Sequence, residues 1–267
     1  MGETLTVEKS GYVARLTLTK PAMGPEFFDE LAAALPPVAA DGDVRAVVVG
    51  AAGKAFSYGL DLMGTFQKHG HLFTAGGLAG PRAELLALLR RWQEAFTALA
   101  RLPVPVIAAV HGWCVGGGLD LASACDIRLA SRDARFSLRE TRLAIVADLG
   151  SLQRLPGIVG QARTRELAFT GRDFDAAEAL RIGLVTELFD DREKLAEGAM
   201  TLAEQIAKNP PLTVRGVKAV LGFGEGKPAG EGLDYVAVWN AAFLSSEDLV
   251  EAAASFMEKR PPSFKGR

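Results

Sequence analysis

Cysteine and histidine are scarce in this sequence of 267 residues. The two cysteines, Cys114 and Cys125, are too few for a disulfide scaffold or a four-thiolate zinc site. The three histidines are His69, His71 and His111, and the first two fall in a glycine-rich stretch without further ligand types at metal spacing. The sequence therefore predicts no metal site.

An excess of charge of either sign is also missing. Thirty basic residues face 32 acidic ones, so the net charge of −2 gives no long-range attraction to nucleic acid or to an anionic membrane. Hydrophobic residues make up 49% of the chain, which disfavours disorder and suffices for a large core. We expect a globular protein with neither a nucleic-acid nor a membrane partner.

Only one long run lacks charged side chains, residues 102–119. Its prolines and glycines interrupt a continuous helix, so the run predicts a buried strand, a loop and the start of a buried helix instead of a membrane span. The N-terminus has no basic segment followed by an apolar stretch, as a secretory signal would. With few cysteines, this predicts a cytoplasmic protein.

Strands and helices alternate in the first half, and helices dominate after residue 150. Apolar runs predict strands at 5–7, 12–18, 44–49, 104–110, 127–130 and 184–188. Helical periodicity predicts helices at 25–35 (ended by Pro36 and Pro37), 84–99, 119–124, 151–153, 162–169, 176–181, 194–208, 212–221, 233–244 and 249–259. Residues 64–81, rich in glycine, predict a long loop. The class is α/β with a helical C-terminal part.

Three features point to chemistry on a carbonyl group. Glycine-containing turns at 56–61 and 116–118 each follow a predicted buried strand and offer backbone N–H groups. Two such groups that converge would form an oxyanion hole. Asp120, Glu140 and Asp148 follow as candidate acids and bases. Each also has an ordinary explanation: close packing for the glycines, a helix start for Asp120, a solvated charge for Glu140, and a cap at Gly150 for Asp148.

Together these segments resemble the enoyl-CoA hydratase/isomerase (crotonase) superfamily from about residue 5 to 267. The resemblance rests on KAFSYGLDL at 54–62, PVIAAVHGWCVGGGLDLASACDI at 105–127, QRLP at 153–156 and FMEKRPPSF at 256–264. It implies a crotonase-like spiral of ββα units over 1–205, with the acyl-CoA site, and a helical trimerisation region over 206–267. It also implies a homotrimer or a hexamer built as a dimer of trimers. The substrate would be an acyl-CoA thioester, with no cofactor because coenzyme A is part of that substrate.

The resemblance assigns roles to particular residues. The backbone N–H groups of Tyr58 and Gly117 would hold the thioester oxygen. Further substrate contacts would come from residues of the same turn and of the C-terminal tail, namely Gly59, Leu60, Asp61, Phe256 and Lys259.

The three acidic residues indicate which branch of the superfamily the chain resembles. Hydratases carry glutamates at the positions of Asp120 and Glu140, whereas Asp120, Glu140 and Asp148 together resemble the Δ3,5-Δ2,4-dienoyl-CoA isomerases of fatty-acid β-oxidation. Our hypothesis gives Glu140 the C2 proton and Asp148 the proton at C6, with Asp120 tuning the pair or positioning a water. The alternatives are an enoyl-CoA hydratase and a non-catalytic acyl-CoA-binding protein.

Overall fold

The computed structural model describes residues 2–74 and 78–267. Its strands are β1 (Leu5–Ser10), β2 (Val13–Leu18), β3 (Ala22–Met23), β4 (Ala46–Ala51), β5 (Gly59–Leu60), β6 (Val106–Val110), β7 (Trp113–Val115), β8 (Ile127–Ser131), β9 (Arg135–Ser137), β10 (Asp173–Asp175) and β11 (Glu187–Phe189). Its helices are α1 (Pro25–Ala40), α2 (Leu62–Thr74), α3 (Ala79–Ala100), α4 (Gly117–Ser123), α5 (Ser151–Val159), α6 (Gln161–Thr170), α7 (Ala176–Arg181), α8 (Arg192–Ala207), α9 (Pro211–Gly224), α10 (Ala229–Phe243) and α11 (Glu247–Glu258). A short 3₁₀ helix spans Glu140–Leu143.

A mixed sheet in the order β1-β2-β4-β6-β8-β11 forms the centre of the described chain. The first two strands form an antiparallel hairpin, and the other neighbours are parallel. Parallel strands need cover on both faces. On one side Phe28, Trp92 and Phe96 of α1 and α3 join the main core, and on the other Leu195 and Ala199 of α8 pack on the sheet. The α/β class is confirmed.

Three successive units repeat one pattern. Strands β4, β6 and β8 lie in the large sheet, and each is followed by a short strand, β5, β7 or β9, in a second layer and then by α2, α4 or the 3₁₀ helix. In the second layer β7 pairs in parallel with β9, and Ser57 bridges to Cys114. This is the spiral of ββα units that the resemblance implies. It brings successive strand-to-helix turns side by side.

Helix α1 is longer than the prediction of 25–35. It continues through Pro36 and Pro37 to Ala40, and the Asp41 N–H donates to the Pro37 carbonyl oxygen over 3.1 Å. Leu35 and Val38 are both buried on this helix. Burial of these side chains offsets the N–H groups that the two prolines lack, so the prediction that they end the helix is wrong.

The predicted loop at 64–81 is also wrong where the structure describes it. Residues 62–74 form α2, and α3 begins at residue 79; residues 75–77 lie outside the described part of the chain. Asp61 Oδ1 accepts the N–H of Gly64 over 2.9 Å, so an aspartate caps this helix. His69 lies on α2, its ring centroid 6.2 Å from that of Trp92.

The chain ends in the predicted helical part, and the boundary predicted after residue 205 falls in the last turn of α8. Helix α10 buries none of its described residues. The division into two regions stays a prediction. Residues 102–119 form β6, β7 and the start of α4, as predicted. Among the described residues, no helix is both long and apolar enough to cross a membrane.

Candidate active site

The first turn of the site, residues 57–61, is fixed by neighbouring main chain. The Ser57 N–H donates to the Trp113 carbonyl oxygen over 2.8 Å, and the Val115 N–H donates to the Ser57 carbonyl oxygen over 3.0 Å. Gly59 has a φ of +87°, where a side chain is strained. A Cβ there would lie 2.8 Å from the Val115 carbonyl oxygen. Only glycine therefore fits this contact between the two turns.

The assignment of the Tyr58 N–H to the oxyanion hole is wrong. This N–H donates to the Pro21 carbonyl oxygen over 2.7 Å, so it already has an acceptor. Its neighbours are also engaged: Gly59 N–H donates to Ser57 Oγ over 3.0 Å, and Asp61 N–H donates to the Met23 carbonyl oxygen over 2.9 Å. The donor that the site requires must come from another amide of this turn.

The amide nitrogen of Leu60 lies beside Gly117. A Cβ built on Gly117 would stand 3.7 Å from the Leu60 nitrogen, and one built on Gly59 would stand 3.3 Å from the Gly117 nitrogen. Leu60 appeared among the predicted substrate contacts but not as the donor. The signal in the sequence is the glycine itself, because its positive φ reorients the amide that follows it.

The second turn begins α4. Gly116 has a φ of +52°, and its N–H donates to the Ser137 carbonyl oxygen over 3.0 Å. Gly117 is the first residue of α4, so no carbonyl group of that helix can accept a hydrogen bond from its N–H. A Cβ on Gly118 would lie 2.8 Å from Ser57 Cβ. The glycines therefore allow close packing, and they leave the Gly117 N–H without an acceptor among residues 2–74 and 78–267.

Asp120 lies on α4 one turn after Gly117 and is 1% exposed. Its Oδ1 accepts the N–H of Ser151, the first residue of α5, over 2.6 Å. Burial raises the pKa of Asp120 to about 6, although this hydrogen bond opposes the shift. Ser151 was missed in the sequence. The alternative that Asp148 caps α5 is wrong, because the capping residue is Gly150, which offers no side chain, and Asp120 takes the Ser151 amide.

Glu140 stands at the start of the 3₁₀ helix and faces the glycine turn. Its Oε1 lies 3.0 Å from where a Cβ on Gly116 would be. Its Oε2 is buried and has no hydrogen-bond partner among the described residues. Burial, and next the charge of Asp120, raise the pKa of Glu140 to about 7. A carboxyl group of this kind changes protonation state near neutral pH, as a general base must. The reading as a solvated charge is wrong.

Asp148 lies half-buried in the segment before α5. Burial raises the pKa of its carboxyl group, against a hydrogen bond from its own backbone. Its negative charge also raises the pKa values of Asp120 and Glu140, so the structure brings the three acids within electrostatic reach of one another. Its carbonyl oxygen accepts Gln93 Nε2–H over 2.7 Å, a contact that the sequence does not reveal.

The remaining predicted contacts lie in two places. Asp61 caps α2, which accounts for its carboxylate without a substrate. Phe256 is 86% exposed near the end of α11, and Lys259 ends that helix with a φ of +54°. The substrate contacts assigned to these three residues stay predictions.

Comparisons with known proteins identify the family of this chain. A family model described as enoyl-CoA hydratase/isomerase matches residues 8–267. A mitochondrial Δ(3,5)-Δ(2,4)-dienoyl-CoA isomerase of Dictyostelium discoideum is 42% identical over 98% of this chain and 91% of its own. A peroxisomal Δ(3,5)-Δ(2,4)-dienoyl-CoA isomerase of Arabidopsis thaliana is 45% identical over 91% of this chain and 87% of its own.

Among solved structures, an enoyl-CoA hydratase from Bacillus anthracis superposes with a TM-score of 0.89 at 30% identity. The match covers 99% of this chain and all of that one. The similarity thus extends over the spiral, the two turns and the C-terminal helices together. The chain belongs to the enoyl-CoA hydratase/isomerase family and is an enzyme of the crotonase superfamily.

Proposed function

We propose that this enzyme converts a 3,5-dienoyl-CoA into the 2,4-dienoyl-CoA. The observation that carries the proposal is a set of three acids with raised pKa values, Asp120, Glu140 and Asp148, of which Glu140 faces the glycine turn next to the Gly117 amide. A single base could serve one carbon of the substrate. Moving two double bonds along the chain shifts a proton from C2 to C6, several ångströms away, and a second acid suits that task.

The first step removes a proton from C2. Glu140 takes this proton, and the electron pair moves onto the thioester carbonyl oxygen. The N–H groups of Leu60 and Gly117 would donate to that oxygen, which carries more negative charge in the transition state than in the substrate. One such donor is typically worth roughly 3 to 4 kcal/mol of barrier.

The second step returns a proton at C6. Asp148, whose pKa is raised by burial, would donate it from its protonated form as the electron pair of the enolate moves back along the chain. The double bonds then stand at C2–C3 and C4–C5, with no change in oxidation state. Glu140 ends protonated and Asp148 ionised, and proton exchange resets them. Asp120 maintains the raised pKa of Glu140 through its charge.

The test compares two reactions in one protein. We expect Asp148→Asn to slow conversion of a 3,5-dienoyl-CoA, followed by absorbance of the conjugated product, by about 10²-fold or more. Hydration of a short 2-enoyl-CoA by the same variant should change much less. Equal losses in both reactions would contradict the role of Asp148.

A hydratase is the second candidate. It is favoured by Oε2 of Glu140, which has no hydrogen-bond partner in the described part of the chain and could hold a water, and by the 30% identity to the Bacillus anthracis hydratase. Against it, Asp120 Oδ1 already accepts the Ser151 amide. Faster turnover of 2-enoyl-CoA than of 3,5-dienoyl-CoA by the wild type would favour the hydratase. Tight CoA binding with no turnover would favour the non-catalytic alternative, which family membership disfavours.

We further propose a role in fatty-acid β-oxidation, on an acyl-CoA substrate and without a metal or redox cofactor, because the proposed steps move only protons. A homotrimer or a hexamer and a cytoplasmic location remain our predictions. The relatives named above are described as mitochondrial and peroxisomal, which concerns those proteins.

A further inference from the structure

Asp148 stands in a segment with little regular structure. The 3₁₀ helix ends at residue 143 and α5 begins at residue 151, and residues 144–146 between them are exposed. Ala147 and Leu149 are buried on either side of Asp148. The position of its carboxyl group therefore depends on how the main chain at 147–149 is held.

The Gln93 side chain holds this main chain from α3. Its Nε2–H donates to the Asp148 carbonyl oxygen over 2.7 Å, across 55 residues of sequence. Gln93 is itself fixed, because Trp92 and Phe96 on the same helix are buried in the core. Thr97 Oγ1–H donates to the Gln93 carbonyl oxygen over 2.8 Å and reinforces the same turn.

The carbonyl group of the next residue, Leu149, accepts a hydrogen bond from α5. Arg154 of α5 donates from Nη1 to the Leu149 carbonyl oxygen over 3.3 Å and from Nη2 to Thr97 Oγ1 over 3.5 Å. Gly150 makes room for this, since a Cβ there would collide with the Arg154 guanidinium. Two successive carbonyl groups, at 148 and 149, thus connect α3 to α5.

We propose that Gln93 is a positioning residue for the proton delivery by Asp148 at C6. It acts through the main chain of Asp148 and does not itself touch the substrate. A displacement of about 1 Å in a reacting group can cost about 10²-fold in rate, so one hydrogen bond at this carbonyl is enough to matter. The role rests on the proposed isomerisation.

The test uses Gln93→Met, which keeps the length of the side chain and removes the N–H donor. Glu94→Ala is the matched control, because Glu94 is the next residue on α3 and its only role in the described chain is an exposed ion pair with Arg101 at 3.3 Å. Both variants are assayed as the full-length protein with a 3,5-dienoyl-CoA in D₂O.

Two rates separate positioning from general damage. We expect Gln93→Met to lower kcat for the 2,4-dienoyl product by about tenfold or more, with KM nearly unchanged. Deuterium incorporation at C2 of recovered substrate, which needs Glu140 alone, should stay within about twofold of the wild type. Glu94→Ala should change neither. An equal loss of C2 exchange and product formation, or no loss at all, would overturn the proposal.

A measurement without substrate keeps this test apart from that of the function itself. Backbone hydrogen exchange over residues 144–149 should accelerate in Gln93→Met and not in Glu94→Ala. If the wild type exchanges C2 but forms no 2,4-dienoyl product, the proposed function fails. In that case the positioning of residue 148 by Gln93 is still tested by the hydrogen exchange of residues 144–149. Exchange that is unchanged in Gln93→Met would refute it.

Discussion

At the scale of single residues, the three acids differ in what surrounds their oxygen atoms. Asp120 is almost fully buried and accepts a main-chain N–H. Glu140 has one oxygen without a partner among the described residues, and Asp148 is half-buried. Different surroundings separate the protonation behaviour of chemically similar groups, which is what a reaction with one base and one acid needs.

The role of the Leu60 N–H as a donor to the thioester oxygen can be tested by removing that N–H alone. Replacing residue 60 by the corresponding α-hydroxy acid turns its amide into an ester and removes only the N–H. We expect kcat to fall roughly 10²- to 10³-fold, because one of the two donors to the thioester oxygen is lost. The same replacement at residue 58 should mainly reduce stability, since that N–H binds Pro21. A larger loss of kcat at 58 than at 60 would restore the original assignment.

Asp120 should lower stability at neutral pH. Its folded-state pKa of about 6 lies above the ordinary 3.8, so ionising it in the folded protein is unfavourable. This cost is absent below the ordinary value, grows as the pH rises, and is complete above about pH 6. Asp120→Asn keeps an oxygen for the Ser151 amide and carries no charge.

The expected gain for Asp120→Asn follows from the size of the shift. At about pH 8 we expect the variant to be more stable by roughly 3 kcal/mol, at about 1.4 kcal/mol per pKa unit, and at about pH 3.5 the two proteins should nearly agree. Denaturant midpoints at the two pH values measure this. A gain that is equal at both pH values would show that the charge is not its cause.

At the scale of the elements, sequence patterns correctly predicted those strands and helices whose formation depends on nearby residues. β-Branched runs located β4 and β6, and the periodic apolar residues of 84–99 located most of α3. The sequence did not reveal the Leu60 N–H as the donor. Its direction depends on hydrogen bonds from Tyr58 and Asp61 to the carbonyl groups of Pro21 and Met23, which are distant in sequence. The helix at 62–74 escaped because its glycines resemble a loop, whereas a capping aspartate and a contact with α3 decide the matter.

Asp61 offers a test of that helix. Asp61→Ala removes the acceptor for the Gly64 N–H and should cost about 1 kcal/mol locally, seen as faster hydrogen exchange in the first turns of α2. Asp61→Asn keeps a capping oxygen and should leave exchange nearly unchanged. The KM for acyl-CoA should also stay the same in Asp61→Asn. A raised KM in this variant would instead support a direct substrate contact by the carboxylate.

At the scale of the whole molecule, the C-terminal helices leave much apolar surface uncovered. Leu221, Leu233, Val238 and Val250 are each at least two-thirds exposed, and they lie on α9, α10 and α11. Exposed apolar side chains in such number on one region of the chain are typical of interaction sites in globular proteins. Their place on the helices that the resemblance assigns to trimerisation makes other copies of the chain the expected partner.

The assembly can be tested with one charge. Sedimentation equilibrium should give three or six times the chain mass of 28.3 kDa. Val238→Glu would bury a carboxylate in the interface and should yield smaller species, because an unpaired charge there costs several kcal/mol. Thr201→Glu adds the same charge on the exposed face of α8 and should leave the mass unchanged. A monomeric wild type, or a Val238→Glu variant of unaltered mass, would contradict assembly through this surface.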